Sequence, residues 1–199
     1  MPYPLSSAKE HAKSVHDAIA PYCLRVEVAG STRREAPSPK DIELVAVPKP
    51  ECLSELKAVA NTRWGTPKAG AFPSKYTQIR SVLNLDLFWA TRENFGMLLF
   101  IRTGPSGFVA RALAHWKKVS DGGHSDGGIL WKPDGHGGFE KVPTLEEADV
   151  FEVLKCHFVL PQHRYDTVEE QSRHYERARS DARKNKARAG GSKATWYSL

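Results

Sequence analysis

Alternation of apolar and polar residues predicts β-strands in the first half of the chain. Apolar residues occupy every second position over 24–29, and a mainly apolar run follows over 42–47. A third mainly apolar run covers 82–89, and we expect a further strand over 76–80. Because a two-residue repeat places alternate side chains on opposite faces of a strand, these segments predict four strands of one sheet.

Helical spacing of apolar residues predicts most of the remaining elements. The predicted helices cover 8–19, 51–60, 92–102, 106–118 and 144–156. Thr144 and Glu147 have the spacing of a capping box, which marks the start of the last helix. Between the fourth and fifth helices, the glycine-rich stretch 121–138 predicts a mobile loop around a hairpin that pairs 129–132 with 139–142.

Three carboxylates lie on two of the predicted strands. Asp41 and Glu43 are two residues apart, so they face the same way at the start of the second strand. Asp86 lies in a mainly apolar run, where burying a carboxylate is costly unless it is paired or binds a metal. Three carboxylates on neighbouring strands predict a site for Mg²⁺ ions that bring substrate phosphates with them.

The turn after the first strand supplies groups that bind phosphate. Gly30 and Ser31 offer backbone N–H groups and a hydroxyl, and Arg33 and Arg34 offer guanidinium groups. Each of these features alone is common in turns and on protein surfaces. Their order along the chain, with the three carboxylates following, indicates nucleotidyl transfer.

These motifs resemble the signature of the family X DNA polymerases, the relatives of DNA polymerase beta. The resemblance rests on Gly30-Ser-Thr-Arg-Arg34, Asp41-Ile-Glu43, Asn84-Leu-Asp86-Leu-Phe, Thr103-Gly104 with Phe108, and Glu146-Glu147-Ala-Asp149-Val-Phe151 leading to Pro161 and Arg164. It spans roughly residues 6–165 and is closest to the short phage and viral forms. We therefore expect neither the amino-terminal lyase domain nor the helix-hairpin-helix elements of the larger relatives.

The resemblance implies an α+β fold in two parts. Residues 6–92 would form a nucleotidyltransferase palm with a mixed β-sheet. Residues 93–165 would form a small carboxy-terminal α/β subdomain that closes over the nucleotide. Beyond the resemblance, the composition of residues 166–199 predicts a basic helical or disordered tail.

The resemblance also implies template-dependent or gap-filling DNA synthesis by a two-metal mechanism. Asp41, Glu43 and Asp86 would hold two Mg²⁺ ions, or Mn²⁺ in their place, and would be the catalytic residues. Asp86 would contact only the ion beside the primer 3′-hydroxyl. The implied partners are primed or gapped DNA and a nucleoside triphosphate, with the protein a monomer.

Five residues are implied to bind the nucleotide. Gly30 would shape the phosphate turn, and Ser31 and Arg34 would offset the charge of pyrophosphate. Thr103 and Gly104 would shape the sugar pocket. Thr103 and Gly104 come from the resemblance alone, whereas the residue types of Gly30, Ser31 and Arg34 already indicate a phosphate-binding turn.

The chain departs from the family pattern in two places. Glu43 stands where the family usually has aspartate, and its extra methylene shifts the metal-binding oxygens. Ile101 and Arg102 replace an aromatic pair that helps to select the incoming sugar, so sugar selectivity does not carry over. Pro105 follows Gly104 where the family tends to have a cis peptide, which predicts a cis Gly104–Pro105 bond because a proline lowers its cost.

Charge and composition agree with a nucleic-acid partner. The 199 residues include 29 Lys and Arg against 23 Asp and Glu, giving a net charge of +6. Cations without any acid continue from 183 to the end, at Arg183, Lys184, Lys186, Arg188 and Lys193. A polyanionic partner for this segment is one interpretation, and a solubilising tail is the other.

Other features indicate a cytoplasmic protein without a membrane partner. No run of about 18 apolar residues occurs, and the first residues do not form a signal peptide. The 3 cysteines are scattered and odd in number, which is typical of reduced thiols. Two other functions stay open: a nucleotidyltransferase that modifies RNA or protein, and a nucleic-acid-binding scaffold with weak activity.

Overall fold

The computed structural model describes most of the chain up to residue 170. The described residues are 3–64, 76–80, 84–170, 172, 173, 176, 177, 180 and 181. The basic segment 183–199 therefore lies outside them, and so does most of the predicted tail.

The four predicted strands are confirmed and form one mixed sheet. They are β1 (Cys23–Val28), β2 (Asp41–Pro48), β3 (Tyr76–Arg80) and β4 (Asn84–Trp89), and their order across the sheet is β1-β2-β4-β3. β1 is antiparallel to β2, and β3 is antiparallel to β4. The central pair, β2 and β4, is parallel, so equivalent ends of these two strands lie side by side.

The helices cover both faces of this sheet. They are α1 (Leu5–Ile19), α2 (Gly30–Arg33), α3 (Leu53–Trp64), α4 (Phe95–Thr103), α5 (Ser106–Val119) and α6 (Glu147–Val153). One face packs its apolar residues against α1 and α3, through Ile42, Leu44, Ala46, Leu85, Leu87 and Trp89. The opposite face packs Val45 and Phe88 against Phe95 and Leu99 of α4. Asp41, Glu43 and Asp86 alternate with the first set, so they lie on the second face.

The second half of the chain builds its core on the other side of α4. A three-stranded antiparallel sheet, in the order β5 (His124–Asp126), β6 (Ile129–Pro133) and β7 (Phe139–Val142), packs there with α5 and α6. Met97 and Phe100 of α4 belong to this core, with Phe100 edge-to-face against Phe151 at 5.4 Å between ring centroids. Because α4 belongs to both cores, it fixes the second half of the chain against the mixed sheet.

Two expectations for the residues after 120 were wrong. Residues 124–126 were predicted as loop and form β5, which pairs with β6 despite its short and polar sequence. The helix predicted over 144–156 begins at Glu147 and not at Thr144, because Asp149 accepts a hydrogen bond from the Glu146 backbone N–H at 2.8 Å. The Thr144 hydroxyl instead accepts a hydrogen bond from the Met97 backbone N–H at 3.1 Å.

The fold class is α+β, as expected, with a mixed sheet and a separate antiparallel sheet. Within the described residues, no helix is both long and apolar enough to span a membrane.

Candidate active site

The parallel pairing of β2 with β4 brings the carboxylates together. Glu43 is the register partner of Asp86, and Asp41 is the partner of Asn84 one step along the same face. The intervening residues Ile42 and Leu85 face the opposite side and are fully buried. Oδ1 of Asp86 is buried and has no hydrogen-bond partner among the described residues. A buried carboxylate oxygen without a hydrogen-bond partner destabilises the fold unless a ligand binds to it.

The pKa values show how closely these acids interact. Burial raises the pKa of Glu43 to about 7, with the charge of Asp41 as the next cause, while Arg102 and Arg34 act in the opposite direction. Burial also raises the pKa of Asp86, again with the charge of Asp41 as the next cause. Both carboxyl groups therefore keep their protons to a higher pH than usual unless a cation binds beside them.

We expect the metal-free protein to lose stability as the pH rises from 4.5, the ordinary pKa of glutamate, to about 7. A carboxyl whose pKa is raised by folding binds its proton more tightly in the folded state, so ionising it lowers the free energy of unfolding. For Glu43 this loss is at most about 3 kcal/mol. Urea unfolding in EDTA across this range should show wild type falling relative to Glu43→Gln. Parallel profiles would contradict the prediction.

Gly30 allows α2 to begin directly against Glu43. Its φ of +64° lies in the left-handed region, and a Cβ placed on it would lie 2.0 Å from Oε2 of Glu43. The backbone N–H of Ala29 donates to the Glu43 carbonyl at 2.8 Å, which holds the turn on β2. Ser31 follows, partly exposed, in the first turn of α2. Only glycine satisfies both the backbone conformation and the close approach.

Replacing Gly30 with alanine is expected to lower the rate of nucleotidyl transfer, the reaction that the sequence predicts, about 100-fold, because the new Cβ would displace the Glu43 carboxylate. Gly135→Ala is the matched control, since Gly135 also has a positive φ, +78°, but no atom within 4 Å of a new Cβ. Turnover and melting temperature measured on both variants separate crowding from backbone strain. Equal turnover in the two variants would refute the assignment of Gly30.

The end of α4 joins the site through two arginines. Nη1 of Arg34 donates to the Thr103 carbonyl, and Nη1 of Arg33 donates to the Thr103 hydroxyl at 2.7 Å. Thr103 is fully buried, and Gly104 follows it at a φ of +60° with a cis bond to Pro105, as the sequence predicted. Burial lowers the pKa of Arg34, while the charges of Glu43 and then Asp166 act against this effect.

A buried ion-pair network supports the same region. Both carboxylate oxygens of Glu147 accept hydrogen bonds from Arg33, at 2.9 and 2.8 Å. Oε1 also accepts one from Nη1 of Arg164 at 2.7 Å. Burial alone would raise the pKa of Glu147, but the hydrogen bonds from Arg164 and Arg33 outweigh it and hold the pKa below its usual value. The network joins α2 to α6, and its Arg33 also contacts Thr103 of the predicted site.

The predicted site residues therefore come together at one end of the mixed sheet. The carboxylates lie on β2 and β4, Gly30, Ser31 and Arg34 lie in or beside α2, and Thr103 and Gly104 end α4. Within the described residues, no three His, Cys, Asp or Glu side chains are already arranged to hold a metal ion. The donor set still fits Mg²⁺, which prefers carboxylate oxygens, and the buried Oδ1 of Asp86 lacks a partner.

A separate groove of about 430 Å³ lies between α1 and α2. Lys9, Lys13 and His16 are among its lining residues, and none of the three carboxylates borders it. Its lysines already contact acids, Lys9 with Glu35 and Lys13 with Asp17. The groove therefore adds nothing to the chemistry of the carboxylate site.

Sequence analysis missed the roles of three residues around the site. Glu147 was assigned to a capping box, although it forms the centre of the buried network. Arg164 was noted only as part of a motif. Arg102 was noted only as a replacement for an aromatic residue. A sequence shows such residues as ordinary charges, because their partners are distant along the chain.

No protein-family model matches this chain, and no curated protein matches it significantly.

Proposed function

We propose that this protein is a nucleotidyltransferase that extends a DNA 3′-hydroxyl in the manner of the family X DNA polymerases. In this proposal the four-stranded mixed sheet is the nucleotidyltransferase palm. Nucleoside triphosphate is the donor, primed or gapped DNA is the acceptor, and pyrophosphate is released.

The pairing of Glu43 with Asp86 across parallel strands is the observation that carries the proposal. Asp41 lies on the same face, so three carboxylates share one face at one end of the central strand pair. Burial raises the pKa of Glu43 and of Asp86, so each ionises more readily when a cation is bound beside it. This is the expected property of a cation-binding site. Arg34 and the start of α2 lie beside them, where the phosphates of a bound nucleotide would need donors.

Asp41, Glu43 and Asp86 would hold two Mg²⁺ ions, which supply positive charge for the α-phosphate and lower the pKa of the 3′-hydroxyl. In the reaction, the bond from the 3′-oxygen to the α-phosphorus forms as the bond to pyrophosphate breaks. Asp86 accepts the hydroxyl proton at its unpartnered Oδ1. Arg34 and Ser31 donate hydrogen bonds to the departing pyrophosphate.

A labelled-nucleotide assay with a set of acceptors tests this function. The protein is incubated with Mg²⁺, α-labelled deoxynucleotides or ribonucleotides, and gapped DNA, a recessed primer, transfer RNA or no acceptor. We expect label in DNA and none in the Asp86→Asn control. Label in RNA, or in the protein itself, would replace DNA with another acceptor. Binding of DNA without incorporation would favour the scaffold function.

Removing residues 183–199 is expected to weaken DNA binding and leave turnover on saturating DNA unchanged. The segment carries five cations and no acid, so it would neutralise phosphates without contacting the reacting groups. If about two cations engage the duplex, the slope of log affinity against log salt should fall by about 2. Affinity for gapped DNA at several salt concentrations measures this slope. Superimposable salt curves would show that the segment is only solubilising.

A further inference from the structure

Arg102, in the last turn of α4, lies against the mixed sheet. Its Cζ is 3.9 Å from the ring centroid of Phe88, so the guanidinium stacks on an aromatic face. Phe88 is buried at 3 % exposure. Stacking on a buried ring holds a guanidinium in one place, because the ring cannot move away from it.

The ring under Arg102 belongs to the face of the sheet that carries the carboxylates. Phe88 is two residues beyond Asp86 on β4, and its register partner Val45 is two residues beyond Glu43 on β2. Residues two apart on a strand share a face. Because its guanidinium stacks on Phe88, Arg102 brings a positive charge to the face of the sheet that carries Glu43 and Asp86.

The direction in which Arg102 moves the pKa of each carboxyl agrees with this placement. Burial and then the charge of Asp41 raise the pKa of Glu43 and of Asp86, and Arg102 opposes these effects at both residues. Arg34 opposes them at Glu43. Among the described residues, Arg102 is thus a cation whose charge affects both paired acids.

We propose that Arg102 is a positioning residue that acts as a counter-charge for Glu43 and Asp86 and makes divalent-cation binding depend on nucleotide. A divalent cation that enters alone meets repulsion from the guanidinium. A cation that enters with a triphosphate brings negative charge that offsets this repulsion. The inference rests on the proposed function, because it takes the carboxylates to be the metal-binding groups.

Mn²⁺ affinity of the nucleotide-free protein tests the inference directly. Titration of the full chain with Mn²⁺ is followed by the electron paramagnetic resonance signal of the free ion. We expect Arg102→Met, which keeps an unbranched chain over Phe88, to bind Mn²⁺ about tenfold more tightly than wild type. Arg102→Lys keeps the charge and should stay close to wild type. With a non-hydrolysable deoxynucleoside triphosphate present, the gain in Arg102→Met should shrink.

Arg25→Met provides a matched control. Arg25 also stacks on a phenylalanine, with its Cζ 4.1 Å from the Phe95 centroid, but it pairs with Glu146 away from the carboxylates. Its Mn²⁺ affinity should equal that of wild type. Unchanged affinity in Arg102→Met, or an equal gain in Arg25→Met, would overturn the inference.

The outcome also separates this inference from the proposed function. If wild type incorporates nucleotide but Arg102→Met does not change Mn²⁺ affinity, the inference alone fails. If no acceptor is labelled but Arg102→Met binds Mn²⁺ more tightly than wild type, the proposed function fails and the counter-charge stands. If no acceptor is labelled and neither protein binds Mn²⁺, with or without the deoxynucleoside triphosphate, both are rejected.

Discussion

Replacing Asp86 with asparagine is expected to lower nucleotidyl transfer at least about 1000-fold. Asparagine has the same shape, so the packing of β4 is kept. It removes the negative charge that would hold a cation and the oxygen that would accept the proton of the 3′-hydroxyl. Single-turnover incorporation on gapped DNA measures the loss. Affinity for nucleotide should change little, because the proposed mechanism assigns Asp86 to the hydroxyl and not to the triphosphate.

Stability distinguishes this loss from misfolding. Because burial raises the pKa of Asp86, its ionised form destabilises the metal-free fold at neutral pH, and Asp86→Asn should unfold at a higher denaturant concentration than wild type. Asp126→Asn, at an exposed position on β5, should change neither activity nor stability. An active Asp86→Asn variant would rule out the three-carboxylate site, and an inactive but destabilised one would leave misfolding as the cause.

The parts of the fold that are local in sequence could be predicted. Strands β2 and β4 show their periodicity within a few residues, and α5 shows a continuous apolar stripe. β5 could not be predicted, because three polar residues form a strand only when β6 offers a partner. The start of α4 was placed three residues too early, since Asn94 accepts a hydrogen bond from the Thr91 backbone N–H at 2.8 Å and forms a turn before the helix.

The site residues also divide into those that are visible in the sequence and those that only the fold brings together. The carboxylates could be found because a charge inside an apolar run is visible in the sequence. The two-residue repeat of a strand then predicts that Asp41 and Glu43 lie on the same face. Glu147 could not be assigned correctly, since its spacing from Thr144 fits a helix cap equally well. Its partners Arg33 and Arg164 are 114 and 17 residues away, and only the folded chain brings them to it.

Replacing Glu147 with glutamine is expected to destabilise the protein by about 3–5 kcal/mol. The Arg164 side chain is 0 % exposed and Glu147 is 5 % exposed, so removing the carboxylate charge leaves a buried guanidinium without its counter-ion. The lowered pKa of Glu147 also shows that its ionised form stabilises the fold. This contribution to the free energy of unfolding is present above the ordinary pKa of glutamate, and it is lost as the pH falls through the lower pKa of the folded state. At this chain length the melting temperature should fall by about 10 °C.

The neighbouring residue supplies the control for this prediction. Glu146 also pairs with an arginine, Arg25, but its side chain is 56 % exposed, so Glu146→Gln should cost less than about 1 kcal/mol. Adding Arg164→Met to Glu147→Gln should restore part of the stability, because the rings around Arg164 then pack against an apolar chain. Thermal melting of the three variants measures the series. Equal losses for Glu146→Gln and Glu147→Gln would show that the buried network does not hold α2 against α6.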